Sequence, residues 1–388
     1  MRKLMIAALM LLGTSAAFAG DSEPLKAILK AKTYADAETL LKTNLSQLAN
    51  DAEKAKAYNK LVDLAMEKVT KEQGTITSNQ MAKQFGQGKE VAYDTTGYNN
   101  ALYDAINSAM LCNEFDQKPN ASGKIKPKFE SSNATRLYGL RANLINAGQA
   151  AGQKNDQATA LKYFGMYVET SVNPLFKSID RTKTPDQYLG EVARVASVYA
   201  FQSKQMDLAN KYVDVAMKDT AVYKDALNLK MYLMQQNLKS KADSLQYVET
   251  LKGLYAKDSK NDQIFATIVN MYGSLKMTAE QDKVIADKLA AEPDNSIAWA
   301  LKGQNFMNAS KSEQAVDCFK KAIVKDDKNV VVLTYLGFCL NAQAGAINGN
   351  KAEQQRLYKE SEGYLEKARS LDPNREKANW SYPLYSVY

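Results

Sequence analysis

The sequence predicts an all-α chain of stacked helix pairs, on three observations. Helix breakers are scarce: glycine (19) and proline (8) in 388 residues fall below ordinary usage, and no proline lies between Pro185 and Pro293. Apolar residues recur at intervals of three and four, the stripe of an amphipathic helix, and no segment has the period-two alternation and β-branched enrichment of a sheet. Residues 262–373 repeat against themselves at a period of 34.

Taken in order, residues 1–19 read as a secretory signal peptide. Arg2 and Lys3 start it, an apolar run follows over 4–12, and Ala17-Phe18-Ala19 offers a small-x-small cleavage site before Gly20. The run is about half of what a membrane span needs. No cysteine lies near the cleavage site for lipid attachment, so the expectation is an exported, periplasmic, non-lipidated chain.

A helical region is expected over 20–130. Tyr58, Leu61, Val62, Ala65 and Val69 form one stripe, with Asn50 or Asp51 available as its cap. Leu102, Ala105, Ile106, Ala109 and Met110 form a second, and Leu137, Leu140, Leu144, Ile145 and Ala147 a third. Two polar stretches, 70–88 and 113–135, read as loops; the latter holds Pro119, Gly123, Pro127 and the basic cluster Lys124, Lys126 and Lys128. From 131 to 388 the chain reads as a repeat array with a closing helix at its end, clearest over 262–375.

At the period of 34, Phe265, Trp299 and Leu333 align, as do Val269, Gly303 and Gly337, and Tyr272, Phe306 and Leu340. Ile285 aligns with Phe319. The last copy resumes at Leu365, Ala368 and Pro373 after about twelve extra residues, expected around 345–351 between its two helices. Gly303 and Ala315 lack bulk, so the two helices of a copy can approach closely while Trp299, Phe306 and Phe319 fill the space around them. Gly148, Ala160 and Phe164 look like an earlier pair, and Ala209, Tyr212 and Ala216, then Leu251, Leu254 and Tyr255, like further second helices.

Trp299, Gly303, Phe306, Ala315, Phe319 and Ala322 resemble the tetratricopeptide repeat, matching six of its eight signature positions, with Lys302 in place of leucine and Asp327 in place of proline. The resemblance implies a right-handed α-solenoid of helix-turn-helix repeats that binds its partners on the concave face built by first helices. Carried over by alignment, that face comprises Tyr232, Gln236, Lys239, Gln263, Asn270, Gln304, Asn308, Thr334, Phe338 and Asn341. Some members of the family grip a terminal carboxylate with lysine and asparagine; Asn270 matches the asparagine, but Ala266 stands at the lysine position.

Catalytic chemistry is sparse. The absence of histidine removes serine–histidine and cysteine–histidine catalysis and the commonest metal ligand. There is no phosphate-binding GxxxxGK[ST] loop, and Gly86-Gln87-Gly88 lacks a flanking strand. Cys112, Cys318 and Cys339 read as small buried apolar residues, with a Cys318–Cys339 bridge left open. Without Arg2 and Lys3 the formal charge falls from +8 to about +6, mild for this length, and the expected export points away from nucleic acid. The expectation is a non-enzymatic, cofactor-free and metal-free scaffold that binds another envelope protein or a peptide. A glycan binder using the aromatic end at Trp380, Tyr382, Tyr385 and Tyr388 is the alternative.

Overall fold

The computed structural model describes residues 20–86, 89–120 and 122–388. The expected signal peptide at 1–19 lies outside the described residues. Among these there are eighteen α-helices, three short 3-10 turns and no strand. The chain divides into two compact units, Met1–Leu233 and Met234–Tyr388.

The first unit contains α1 (Glu23–Lys30), α2 (Tyr34–Asn44), α3 (Asp51–Phe85), α4 (Thr95–Asp116), α5 (Glu130–Tyr138), α6 (Asn143–Gln153), α7 (Gln157–Val172), α8 (Leu189–Gln202), α9 (Met206–Ala216) and most of α10 (Tyr223–Gln236). One apolar core runs from Val62 to Leu233, so the expected boundary at 130 falls inside a single packed body. Asn50 caps α3, its Oδ1 accepting from the Glu53 N–H at 3.0 Å.

Three sequence expectations need correction here. Residues 70–85 are helical, because α3 continues for 35 residues to Phe85. Past Gln73 most of its side chains are solvated, so no apolar stripe marks it. The second polar stretch is shorter than expected: α4 runs to Asp116 and α5 begins at Glu130. The Asp116 carboxylate accepts the N–H groups of Lys128 at 2.8 Å and Phe129 at 2.7 Å, which closes the intervening basic loop. The stripe over 137–147 is not one helix. It breaks at Gly139 into α5, a 3-10 turn over Leu140–Ala142, and α6, and the turn buries Arg141.

The second unit contains α11 (Lys241–Lys257), α12 (Asp262–Ser274), α13 (Thr278–Ala291), α14 (Ser296–Asn308), α15 (Ser312–Ala322), α16 (Val330–Ala346), α17 (Lys351–Leu371) and the short α18 (Ser381–Tyr385). Its apolar clusters succeed one another along the chain. Phe265, Val269, Ile285 and Ala298 form the first. Ala315, Phe319, Leu336 and Leu340 belong to the second, and Leu333, Leu365, Trp380 and Leu384 to the third. Each helix pair buries its faces only against its neighbours, as repeat stacking requires.

Close approach explains the small residues. A Cβ built on Gly303 would lie 2.7 Å from the Phe319 ring, and one on Gly148 would lie 2.7 Å from the Phe164 ring. The pair Gly148–Phe164, expected from sequence, thus packs as Gly303–Phe319 does, in the other unit. The insertion in the last copy does not form a loop. Relative to α14 and α15, four residues extend the end of α16, seven extend the start of α17, and one enlarges the turn between them.

Four helix pairs share one turn. Between α6 and α7, α8 and α9, α12 and α13, and α14 and α15, three residues intervene, and the middle one is left-handed: Asn155 (φ 58°), Lys204 (60°), Lys276 (57°) and Ser310 (57°). The residue after it donates back to the preceding helix, as in Met277 N–H to the Tyr272 carbonyl at 2.9 Å and Lys311 N–H to the Phe306 carbonyl at 2.9 Å. The motif satisfies helix-end carbonyls but holds a β-carbon in a disfavoured region. Lys276→Gly should therefore stabilise the chain by about 0.5–1 kcal/mol, the relieved strain being offset in part by a more flexible unfolded chain. Thermal melting checks this; a lower Tm would contradict the turn geometry.

The helix entries repeat too. Asn261, Asn295 and Asn329 cap α12, α14 and α16, accepting from the N–H groups of Ile264, Ala298 and Val332 at 3.1, 2.8 and 3.2 Å. Each cap donates its amide to an acid three residues earlier: Asp258, Glu292 and Asp326 at 3.1, 2.9 and 2.9 Å. This pair holds the exit turn ahead of α16, where Asp327 replaces the expected proline.

Candidate functional site

In the second unit the first helices α14 and α16 lie on either side of a trough. A cleft of about 270 Å³ is lined by Ile297, Ala300, Leu301 and Gln304 of α14, by Val331, Val332 and Tyr335 of α16, and by Asp326 and Asn329 at its end. Val331 and Tyr335 also line a second cleft of about 350 Å³, so the two adjoin. The second is walled by Met307, Thr334 and Phe338 on one side and by Lys377, Ala378, Asn379, Tyr382 and Pro383 on the other.

The repeat register positions these walls. Phe319 sits over Gly303 and packs its ring against Tyr335, with centroids 5.9 Å apart, so Tyr335 is set by the same contact that closes the helix pair. The other wall is fastened to α17. The Asp372 carboxylate accepts the N–H groups of Glu376, Lys377 and Ala378 at 2.9, 2.8 and 3.2 Å. The Trp380 indole donates to the Asp372 carbonyl at 2.7 Å. Asn341 of α16 donates to the Pro383 carbonyl at 2.7 Å.

Burial raises the Asp372 carboxyl, but the three backbone N–H donors outweigh it and hold the group below the ordinary carboxylate range. A depressed folded pKa contributes stability above the unfolded value of about 3.9, and that contribution is lost as pH falls through the folded value. In a Trp299→Phe background, acidification below about pH 4 should therefore red-shift Trp380 emission before the helical signal is lost. Emission that stays constant until global unfolding would contradict the role given to Asp372.

Of the ten residues expected on the binding face, Tyr232 lies in the first unit, edge-on to Phe201 at 5.5 Å, and the other nine lie in the second. Gln236, Gln263, Asn270, Asn308 and Phe338 are exposed and Gln304 is half-buried. Three placements need correction. Lys239 is in the turn before α11, where its N–H donates to Asp243 at 3.0 Å, rather than on a first-helix face. Thr334 is buried, its hydroxyl donating to the Val330 carbonyl of its own helix at 2.8 Å. Asn341 is engaged by Pro383. Thr334 still lines the second cleft, and sequence alignment missed the engagement of Asn341 because the segment after α17 folds onto α16.

The aromatic end divides. Trp380 is buried among Val330, Leu333, Leu365 and Ala368, whereas Tyr382, Tyr385 and Tyr388 are exposed. Trp299 is half-buried, with the Lys321 ammonium 4.2 Å from its ring centroid. Trp380 therefore offers no free platform for a sugar, whereas Trp299 lines a cleft of about 260 Å³ with Pro293, Asp294, Val324 and Lys325.

All three cysteines are free and buried, so Cys318 and Cys339 are not bridged. Burial pushes the Cys112 and Cys339 thiols up to about 12, which keeps them protonated and unreactive. Among the described residues no group of three or more acids or cysteines is placed to hold a metal ion, and no helix is long and apolar enough to cross a membrane. Lys124, Lys126 and Lys128 form no ion pair among the described residues.

One polar cluster escaped sequence reasoning. In the first unit Arg141 is buried between the rings of Tyr138 and Tyr167, at 5.0 and 4.3 Å. It donates to Thr170 at 2.8 Å and pairs with Asp186, which also accepts from the Tyr167 hydroxyl. Its donors and acceptors satisfy one another, and its effect is to tie the segment between α7 and α8 onto α7.

Neither a family model nor a curated protein matches the sequence. Among solved structures the chain is similar to MamA (residues 41 to the end) from Desulfovibrio magneticus RS-1, at 14% identity and a TM-score of 0.32, over 48% of this chain and 97% of that one. It is similar to a TPR repeats protein from Bacteroides fragilis NCTC 9343, at 18% identity and a TM-score of 0.26, over 64% and 97%. It is also similar to the P58(IPK) TPR domain, at 10% identity and a TM-score of 0.29, over 91% of each. The chain's own helix pairs, its 34-residue spacing and its glycine–aromatic contacts define the class: an all-α protein of stacked helix-pair repeats, similar in spacing to the tetratricopeptide repeat.

Proposed function

We propose that the protein is a non-catalytic interaction scaffold of the bacterial cell envelope that holds an extended segment of a partner protein in the trough between α14 and α16. One observation carries the reading. Two adjoining clefts on the first-helix face are lined by apolar, aromatic and amide side chains, with charge only at the ends, Asp326 in one cleft and Lys377 in the other. Such a lining suits a peptide backbone, which needs amide hydrogen bonds, and apolar anchors, which need desolvated pockets. The envelope location rests on the signal-like pattern of residues 1–19.

The test is a photo-crosslinking amino acid placed at Gln304 in intact cells, compared with the same group at Lys320 on the second helix α15. The reading expects a discrete adduct with one exported protein from Gln304 and none from Lys320. Equal labelling from both positions would remove the trough as the binding site.

A further inference from the structure

The second cleft differs from the first in how it is built. One wall is α16 with Met307 of α14; the other is the segment that follows α17. Met307, Tyr335, Phe338 and Tyr382 surround about 350 Å³, the scale of one large side chain and its flanking backbone. Phe338 is 43% exposed and Tyr382 69%, so their rings stand open to an incoming group. The only charged side chain in the lining is Lys377, itself exposed. Its backbone N–H donates to Asp372 at 2.8 Å, which fixes the main chain from which the lysine side chain leaves the rim of the cleft.

Resting on the trough reading above, we propose that this cleft selects the partner's sequence. It takes an aromatic or large aliphatic side chain between Phe338 and Tyr382, with an acidic residue beside it in the partner chain against Lys377. The apolar anchor supplies burial, and the lone cation sets the sign of the neighbouring charge. A basic residue at that point would face Lys377 and be disfavoured.

The test uses a displayed library of random dodecapeptides selected on the full chain. The proposal expects enrichment of Phe, Tyr, Trp or Leu directly flanked by Asp or Glu. A selected peptide, made synthetically, should bind Lys377→Glu roughly tenfold more weakly. Reselection on Lys377→Glu should replace the acidic flank with Lys or Arg, and Phe338→Ala should lose the aromatic preference while its circular dichroism melt stays that of the parent. Enriched peptides that lack the acidic flank, or keep it on Lys377→Glu, overturn this proposal; if they still depend on Gln304 and Phe338, the trough reading stands. Enrichment of nothing that depends on trough residues overturns both.

Discussion

Asp186→Ala should destabilise the first unit by about 3–5 kcal/mol, because it leaves the Arg141 guanidinium buried without its counter-charge. Arg141 and Asp186 side chains are 4% and 8% exposed, so the guanidinium is largely shielded from water. The nearby Arg181, 3.6 Å from Asp186, adds like charge to the same pocket once the carboxylate is gone. The loss is one of uncompensated charge rather than of a favourable pair. Arg141→Met combined with Asp186→Leu should accordingly cost less than either single change to alanine. Urea unfolding of the single and double variants checks both statements. A cost under about 1 kcal/mol for Asp186→Ala would mean that the cluster is solvated, as surface pairs are.

Phe319→Ala should cost the second unit about 3–5 kcal/mol, the usual range for emptying a core aromatic site. Phe319 is fully buried, faces Gly303, and supports Tyr335 on the trough side. Its contact with Gly303 makes the two positions interdependent. Gly303→Ala alone must displace a ring whose nearest atoms would be 2.7 Å from the new Cβ, and that clash disappears when the ring is absent. The double variant Gly303→Ala/Phe319→Ala should therefore be less destabilised than the sum of the singles. Simple additivity would show that the two helices do not pack in this register.

The register was legible because side-chain size repeats: glycine and alanine recur opposite large residues, and spacing alone exposes them. The helix entries were equally available to inspection, since Asn261, Asn295 and Asn329 and the acids ahead of them recur at the period of 34. The turns were not, because Asn155, Lys204, Lys276 and Ser310 share a backbone conformation but no single side-chain type, and none is glycine. The solvated end of α3 carries no apolar period, and periodicity is what sequence reading detects. Arg141 and Asp186 stand 45 positions apart in the chain, with nothing local to couple them. Within the trough, sequence placed Gln304 and Phe338 on the first-helix face but could not foresee the wall made by residues 377–383. That wall turns Asn341 from a candidate ligand contact into a structural one.

Partner binding along the α14–α16 trough is tested most directly by the calorimetric affinity of the crosslinked partner for Phe338→Ala and for Lys320→Ala. Phe338 stands in the cleft, whereas Lys320 pairs with Glu360 on the second-helix side. An aromatic anchor that a partner buries commonly contributes about 2 kcal/mol or more, a loss of roughly thirtyfold in Kd for Phe338→Ala, with Lys320→Ala unchanged. Equal affinity for the two variants would contradict the account and move the binding site off the trough.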